Sequence, residues 1–315
     1  MKSVAILMPQ RIGEFVLALS VASRIDSEGN EKITLIVPQH LIPLCTLLST
    51  LPYFPYRRSN RGELLDSIAG VKRQNFDELC VLTNSLSTAW FALRTGIPER
   101  RGPGGGITNP FFTKTFEQKE SVHLTEQYAQ ILGCDHVPPQ LWPGISIDPA
   151  EPAEQSVVLC PGSSGGAAKQ WSGYREIVKL LPSYRFTLLG DLGDVGAAKS
   201  ITRHFPHRVR NLVGKTSIES AAAQLAGASV VIANHNGLMH LAGFLGTPVV
   251  GIFGSTSAQR HRPLGNGVRC ADGASVCAPC NAKSCSRRDR ACLLAITAQR
   301  VIELAGEIVR PDRCA

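Results

Sequence analysis

The sequence predicts an α/β protein built as two doubly wound domains. Three observations predict it. Short apolar runs alternate with longer amphipathic ones along almost the whole chain. A proline-rich break interrupts that alternation near the middle. Several apolar runs end in Gly/polar turns that open a helical pattern, the place where open α/β sheets take their ligands.

The elements follow in order. Residues 4–8 read as a strand and 15–25 as a helix. Residues 33–37 read as a strand, 41–51 as a helix, 64–73 as a helix, 78–83 as extended and 87–94 as a helix. The Gly-rich stretch 101–109 reads as a loop, and 123–132 as a helix. Residues 135–155 carry Pro138, Pro139, Pro143, Pro149 and Pro152 and read as a linker. The expected domains are therefore 1–150 and 151–315. Alternation restarts with strands over 157–160, 186–189, 209–213, 229–232 and 249–253. Helical patterns cover 173–181, 197–204, 218–226, 238–245 and 297–309. Two such halves predict a cleft between them, with ligands at the carboxyl ends of the strands.

Length and composition agree. A chain of 315 residues is long enough for two cores, and 43% hydrophobic with 18% charged is an ordinary globular balance. Thirty-three Lys+Arg against 25 Asp+Glu give a net charge of +8. That favours acidic partners such as phosphorylated sugars or anionic headgroups. Nucleic acid is disfavoured, because aromatics are only 6% and do not interleave with basic residues. The pairs Arg57-Arg58, Arg100-Arg101 and Arg287-Arg288 read as solvated surface charge. The apolar run 4–8 is too short for a secretory signal, and no window reaches the roughly 20 apolar residues of a membrane span. A cytoplasmic protein is expected, touching the cytoplasmic face of the inner membrane from outside the bilayer.

Four residue groups carry chemistry. The first strand runs into Arg11-Ile12-Gly13-Glu14, which puts Glu14 in a first helical turn at the end of a strand. A carboxylate there can act as general base for a hydroxyl, or merely complement the helix dipole. Residues Ser163-Ser164-Gly165-Gly166, followed by Lys169, form a turn whose amides and lysine suit a diphosphate. It is not a Walker A loop, because the Gly-Lys-Ser/Thr ending is missing. Asp191 and Asp194 end a strand, and Asp194 suits either a ribose hydroxyl or a helix cap. Asn236-Gly237 opens a helix after another buried strand, a ready anion site, with His240 one turn on.

Cysteine usage is high, at ten. Cys45, Cys80, Cys134 and Cys160 stand singly and fit buried thiols. The segment 270–292 is Cys-rich, and Cys314 is near the end of the sequence. Cys277-x2-Cys280-x4-Cys285-x6-Cys292 suits a structural zinc, two disulfides or four free thiols.

Taken together, the chain resembles the lipopolysaccharide heptosyltransferases, the ADP-heptose family of inverting GT-B glycosyltransferases, and within them the heptosyltransferase II branch. Arg11-Ile12-Gly13-Glu14 is similar to the family's N-terminal Gly-Asp turn. Residues 82–89 with Gly96-Ile97-Pro98-Glu99-Arg100 resemble its Asn-Ser segment and Gly-Ile-Pro-x-Arg loop. Pro161-Gly162 with Lys169-Gln170-Trp171 resembles its donor-phosphate turn, and Gly237-Leu238-Met239-His240 its most diagnostic motif. The resemblance implies two Rossmann-like domains and transfer of a heptose from an ADP-sugar to a lipid-linked inner-core saccharide. It implies catalysis without a metal. Glu14 takes the catalytic position. Ser163, Ser164, Gly165, Lys169, Asp194, Asn236, Gly237 and His240 bind the donor. Arg11, Asn84 and Ser85 face the acceptor. The chain departs from the family at Glu14, usually Asp, and at His235-Asn236, usually Asp-Ser/Thr. The alternatives are a different nucleotide sugar or acceptor on the same scaffold, or a homologue that binds without turnover.

Overall fold

The computed structural model describes residues 1–27, 29, 31–134, 147–150, 156–163 and 166–309. The chain divides into two compact units, Met1–Pro138 and Pro139–Ala315. This division falls before the expected 150/151 boundary. The reason is local: Ala150 N–H donates to the Ala223 carbonyl at 3.1 Å, which ties 147–150 to the second unit. Of the predicted linker prolines, Pro138, Pro139, Pro143 and Pro152 lie outside the described residues, as does Cys314.

The first unit runs β1 (Lys2–Leu7), α1 (Ile12–Ser27), β2 (Glu31–Pro38), α2 (Ile42–Leu48), β3 (Tyr53–Tyr56), α3 (Arg61–Lys72), β4 (Glu78–Val81), α4 (Leu86–Thr95), β5 (Glu99–Pro103), β6 (Lys114–Phe116) and α5 (Leu124–Leu132). Its sheet has the order β3-β2-β1-β4-β5-β6, and every pairing is parallel. The expected loop 101–109 begins inside β5. Arg101, in mid-strand, donates to Glu78 Oε1 of the neighbouring strand at 3.2 Å, so the ladder carries a charge that reads as loop.

The second unit runs β7 (Ser156–Cys160), α6 (Tyr174–Leu180), β8 (Arg185–Leu188), α7 (Val195–Thr202), β9 (Val209–Asn211), α8 (Ile218–Ala226), β10 (Val230–Asn234), α9 (Gly237–Phe244), β11 (Val249–Phe253), α10 (Ala258–His261), β12 (Val268–Asp272), α11 (Ala291–Leu294) and α12 (Ala298–Gly306). Its order, β12-β11-β10-β7-β8-β9, is the same winding repeated, again all parallel.

Helices on both faces make the central strands buried throughout. All residues of β4, β10 and β11 are buried, as near-continuous apolar runs in parallel sheets require. Each unit has its own core. Leu7, Val71, Leu79 and Phe91 belong to the first, and Leu159, Ile177, Ile232 and Val301 to the second. Local chemistry fixes the helix ends. Ser85 caps α4 by accepting from Thr88 N–H, and Gly96 closes it in the left-handed region that glycine adopts without strain. Among the described residues, no helix is long and apolar enough to cross a membrane.

In each sheet the strand order reverses once, between β1 and β4 in the first and between β7 and β10 in the second. At such a point the loops leave in opposite directions and open a crevice at the carboxyl ends of the strands. The turns that follow β1, β4, β7 and β10 contain most of the residues singled out from the sequence.

Candidate functional site

In the first unit, Glu14 lies in the first turn of α1, immediately beyond β1. Its side chain is about one-third exposed, and Arg11 Nη1 stands 3.5 Å from Glu14 Oε1. The carboxylate is thus presented at the sheet's carboxyl edge with a cation one turn away. Asn84, after β4, is exposed, and Thr108 Oγ1 donates to its Oδ1 at 3.4 Å. Ser85 follows it and is half-buried. Its hydroxyl accepts from Thr88 N–H at 3.2 Å and contacts Thr88 Oγ1 at 2.8 Å, so it serves the helix cap.

Sequence reading missed the neighbouring cavity. It encloses about 250 Å³ at the carboxyl ends of β1, β2 and β3, lined in part by Gln10, His40, Tyr56, Arg57 and Arg58. The arginines follow a short strand containing Pro55, which gives no apolar alternation to mark it.

In the second unit, the turn after β7 is fastened from several directions. Asn234, the last residue of β10 and fully buried, donates through Nδ2 to the Pro161 carbonyl at 2.7 Å. Its Oδ1 accepts from Trp171 N–H at 3.3 Å. Asn236 does two jobs. Its Oδ1 caps α9 by accepting from Met239 N–H at 3.0 Å, and its Nδ2 donates to the carbonyls of Gly162 at 3.0 Å and Cys160 at 3.3 Å. The two donor-type turns are therefore one hydrogen-bonded body. The positive end of the α9 dipole and the amides of its first turn, opened by Gly237, share that edge of the sheet with the β7 turn. Lys169 closes the short 3-10 turn that follows Gly166. Ser163 is half-buried, and its carbonyl accepts from Gly166 N–H at 3.4 Å. Ser164 and Gly165 lie outside the described residues.

Asp194 is a correction. It is buried under the turn rather than turned outward to a ribose. A capping box joins it to Asp191, whose N–H donates to Asp194 Oδ2 at 3.1 Å, and Ser163 N–H also reaches the carboxylate. Burial pushes its carboxyl above the usual range, the Asp191 charge adds to this, and the backbone donors offset part of it. The Asp194 carboxylate explains Gly162, where a Cβ would lie 1.9 Å from Asp194 Cγ.

His240 is buried on α9, edge-on to His235 with ring centroids 5.7 Å apart. His235 Nδ1 is 2.8 Å from Thr256 Oγ1, and its ring lies 5.0 Å from that of His261. Imidazoles from the turn after β10, from α9 and from α10 therefore cluster beside the α9 terminus.

The sequence leaves the Cys-rich segment open to a structural zinc, two disulfides or four free thiols. Among the described residues no three His, Cys, Asp or Glu side chains form a group able to hold a metal, and all nine described cysteines are free thiols. Cys292 is buried on α11 while Cys277 and Cys280 are exposed on the preceding loop. Burial raises the Cys292 thiol, the Leu293 backbone N–H offsets part of the rise, and the nearby Cys277, Cys280 and Cys285 add to it. As expected, Cys45, Cys80 and Cys160 are buried; Cys134 is half-buried. Burial holds the Cys45 thiol up at about 11.

Two all-parallel sheets of one winding, each with polar turns at its switch point, define a doubly wound α/β protein with ligand-accepting turns at the carboxyl edges of its sheets. The chain belongs to glycosyltransferase family 9 (heptosyltransferase), whose profile matches residues 66–290. It is 29% identical over 222 residues to lipooligosaccharide heptosyltransferase 2 of Haemophilus influenzae, covering 61% of this chain and 64% of that protein. The match thus spans just under two thirds of that relative's length. Two solved structures share the fold. Escherichia coli ADP-heptose lipopolysaccharide heptosyltransferase II has a TM-score of 0.80 at 23% identity, with 98% of each chain covered. Escherichia coli heptosyltransferase WaaC with ADP has a TM-score of 0.77 at 18% identity, covering 97% of this chain and 99% of that one. The α/β, GT-B-like fold expected from the resemblance is the fold observed.

Proposed function

We propose that the protein is an inverting glycosyltransferase that moves a heptose from ADP-heptose to the inner core of a lipopolysaccharide. The second unit takes the donor. Backbone amides of the first turn of α9, with Lys169 beyond the turn after β7, receive the diphosphate and stabilise it as it leaves. The first unit takes the acceptor. Glu14 removes the proton from the acceptor hydroxyl, whose oxygen bonds to the anomeric carbon on the face opposite the diphosphate. The carbon–oxygen bond to ADP breaks, and ADP carries away the electron pair. The cationic and amide groups supply the charge stabilisation, so the chemistry proceeds without a metal.

One observation supports this reading above the others. Asn236 caps α9 and also holds the Gly162 carbonyl, so a helix terminus and a glycine turn form a single anion-receiving edge at a sheet switch point. Family 9 membership supports a sugar nucleotide as the ligand of that edge. The acceptor places the protein at the cytoplasmic face of the inner membrane. Its net charge of +8 favours contact with anionic headgroups there.

The test is release of ADP from ADP-heptose in the presence of a deacylated inner-core saccharide. Turnover that needs both substrates supports the reading. Turnover with a UDP- or GDP-sugar in preference to ADP-heptose, or donor binding without turnover, overturns it.

A further inference from the structure

We infer that the outer face of α4, with the loop that carries Ile107, is the surface by which the protein docks on an anionic lipid bilayer. The inference rests on the lipid-linked acceptor proposed above and gives the membrane contact an address in the first unit.

The first argument is apolar surface that the fold does not use. The inner face of α4 supplies Ala89, Phe91 and Ala92 to the core of the first unit. An ordinary surface helix is polar on its other face. Here that face carries Leu86, Trp90 and Leu93, exposed by 50%, 37% and 44%. They stand at i, i+4 and i+7, so they share one side of the helix. Ile107, 71% exposed, stands beside the start of this stripe. Its neighbour Thr108 donates to Asn84 Oδ1 at 3.4 Å, two residues before Leu86. Single exposed apolar side chains are ordinary, but a contiguous set marks a surface that meets something less polar than water.

Charge identifies the partner. From Thr83 to Phe116 the sole acid in the sequence is Glu99, and Lys2 Nζ donates to it at 2.8 Å. The far end of the stripe is cationic. The Arg94 guanidinium lies 5.5 Å from the centre of the Trp90 ring. Lys72, at the end of α3, reaches the end of α4, where a Cβ on Gly96 would meet its Cε at 3.8 Å. Arg73 follows Lys72 and is exposed. The acids of α3 lie nearer its other end: Glu63, in the first turn, accepts from Ser59 N–H at 3.0 Å, and Asp66 follows in the second. Leucine and tryptophan on one face with lysine and arginine at the margin is the composition of a helix that lies in a headgroup layer. Anionic headgroups satisfy the cations, the acyl boundary receives the leucines and the indole, and Arg94 extends from the ring toward the headgroups.

Placement is the third argument. The stripe begins at the carboxyl edge of the first sheet, since Leu86 opens α4 after β4 and Ile107 follows β5. Glu14 lies at the same edge, after β1, the strand beside β4. A bilayer against α4 therefore lies beside the edge that carries the base. A lipid-linked saccharide can reach that edge without leaving its membrane.

Sedimentation of the full chain with sucrose-loaded vesicles tests the surface, comparing an equal mixture of phosphatidylglycerol and phosphatidylcholine with phosphatidylcholine alone. Wild type binds the mixed vesicles and binds the neutral ones more weakly. Trp90→Gln, and Leu86→Gln combined with Leu93→Gln, each lower the partition constant roughly tenfold. Arg94→Gln lowers it roughly fivefold on anionic vesicles, and that loss disappears on neutral ones. Thermal midpoints within a few degrees of wild type show that the variants fold. Brominated acyl chains quench the fluorescence of wild type more than that of Trp90→Phe, which assigns the inserted indole. In the transfer assay the same variants keep wild-type turnover on a deacylated saccharide and raise KM for an acceptor embedded in vesicles. Equal sedimentation of wild type and variants, or no preference for anionic vesicles, overturns the surface. So does self-association of wild type that the variants abolish, without vesicle binding, which assigns the face to a second copy of the chain. Turnover on the deacylated saccharide without vesicle binding removes the docking surface alone. Vesicle binding that the variants lose, with no turnover of ADP-heptose, removes the transfer reading alone.

Discussion

Ala168 N–H donates to the Lys283 carbonyl at 3.2 Å. The bond joins the turn after β7 to the Cys-rich loop, which therefore braces that edge of the sheet. Two more bonds reinforce it: Asn281 N–H to the Ser255 carbonyl at 2.7 Å, and Arg290 Nη1 to the Gln170 carbonyl at 3.5 Å. Gly166 is the point of closest approach. A Cβ there would lie 2.2 Å from the Lys283 carbonyl oxygen.

Gly166→Ala tests the brace. Gly166 has φ 96° and ψ 173°, a region open almost solely to glycine. The substitution must both strain the backbone, by about 1–3 kcal/mol, and push the loop away. ADP affinity measured by calorimetry should fall roughly tenfold, the fold-equivalent of about 1.4 kcal/mol. A wild-type ADP affinity in Gly166→Ala would show that the turn does not depend on the loop.

Asn234→Ala should cost stability before it costs chemistry. The side chain is fully buried and serves both the Pro161 carbonyl and Trp171 N–H. Removing it leaves two buried backbone groups unmet, a loss of about 2–4 kcal/mol. Urea unfolding followed by fluorescence measures this, because Trp171 packs in the same core. Asn234→Asp should be worse than Ala, since it adds an unpaired buried charge.

Those two residues also show what a sequence can and cannot display. Central strands such as β10 and β11 are legible because burial on both faces forces an apolar run. β5 is not, because Arg100 and Arg101 are satisfied inside the fold by the Ile97 and Phe111 carbonyls and by Glu78. β3, β6 and β12 lie at sheet edges, where one neighbour suffices and the pattern weakens. The turns at Glu14, Ser163 and Asn236 stand out, since a glycine or polar residue after a buried strand has few other uses. Asn234 falls just past the expected strand 229–232 and reads as one more turn residue, and its bridging role depends on partners 63 and 73 positions away. Asp194 was equally open to capping and to ribose binding. Only the packing of Gly162 against its carboxylate decides for the internal role. Arg57 and Arg58 read as surface charge because nothing in their spacing reveals the cavity between them.

Acid should destabilise the first unit through Glu78. Burial pushes this carboxyl up, but hydrogen bonds from Lys2 and the Cys80 thiol and the Arg101 charge outweigh burial and leave it below its usual value of 4.5. A carboxylate depressed in the folded state contributes stability that is fully present above its unfolded pKa and is lost as pH falls through the folded one. The loss therefore begins below about pH 4.5 and continues downward. Glu78→Gln should lower stability at pH 7 by about 1–3 kcal/mol, discounted because Lys2 is partly exposed. It should also flatten the slope of stability against pH in that acid window. Urea midpoints at pH 7, 5, 4 and 3 check both effects, and an unchanged acid slope would remove Glu78 from the account.

Glu14→Gln separates binding from chemistry. The amide is isosteric, cannot take a proton from a hydroxyl, and still accepts a hydrogen bond from Arg11. Donor affinity should therefore remain as in wild type, because the groups proposed to hold the diphosphate belong to the other unit. Turnover should fall by roughly 10²- to 10⁴-fold, the usual share of a positioned general base. Glu14→Asp keeps the carboxylate but withdraws it by one methylene, so part of the rate should survive. The pH profile of kcat distinguishes the base from a merely structural carboxylate: an acidic limb is expected in wild type and should be absent in Glu14→Gln. Arg11→Gln should lower kcat less than Glu14→Gln does, since Arg11 touches the carboxylate at 3.5 Å from a largely exposed position and can only orient it. Full turnover in Glu14→Gln, with donor and acceptor both bound, would place proton removal on another group.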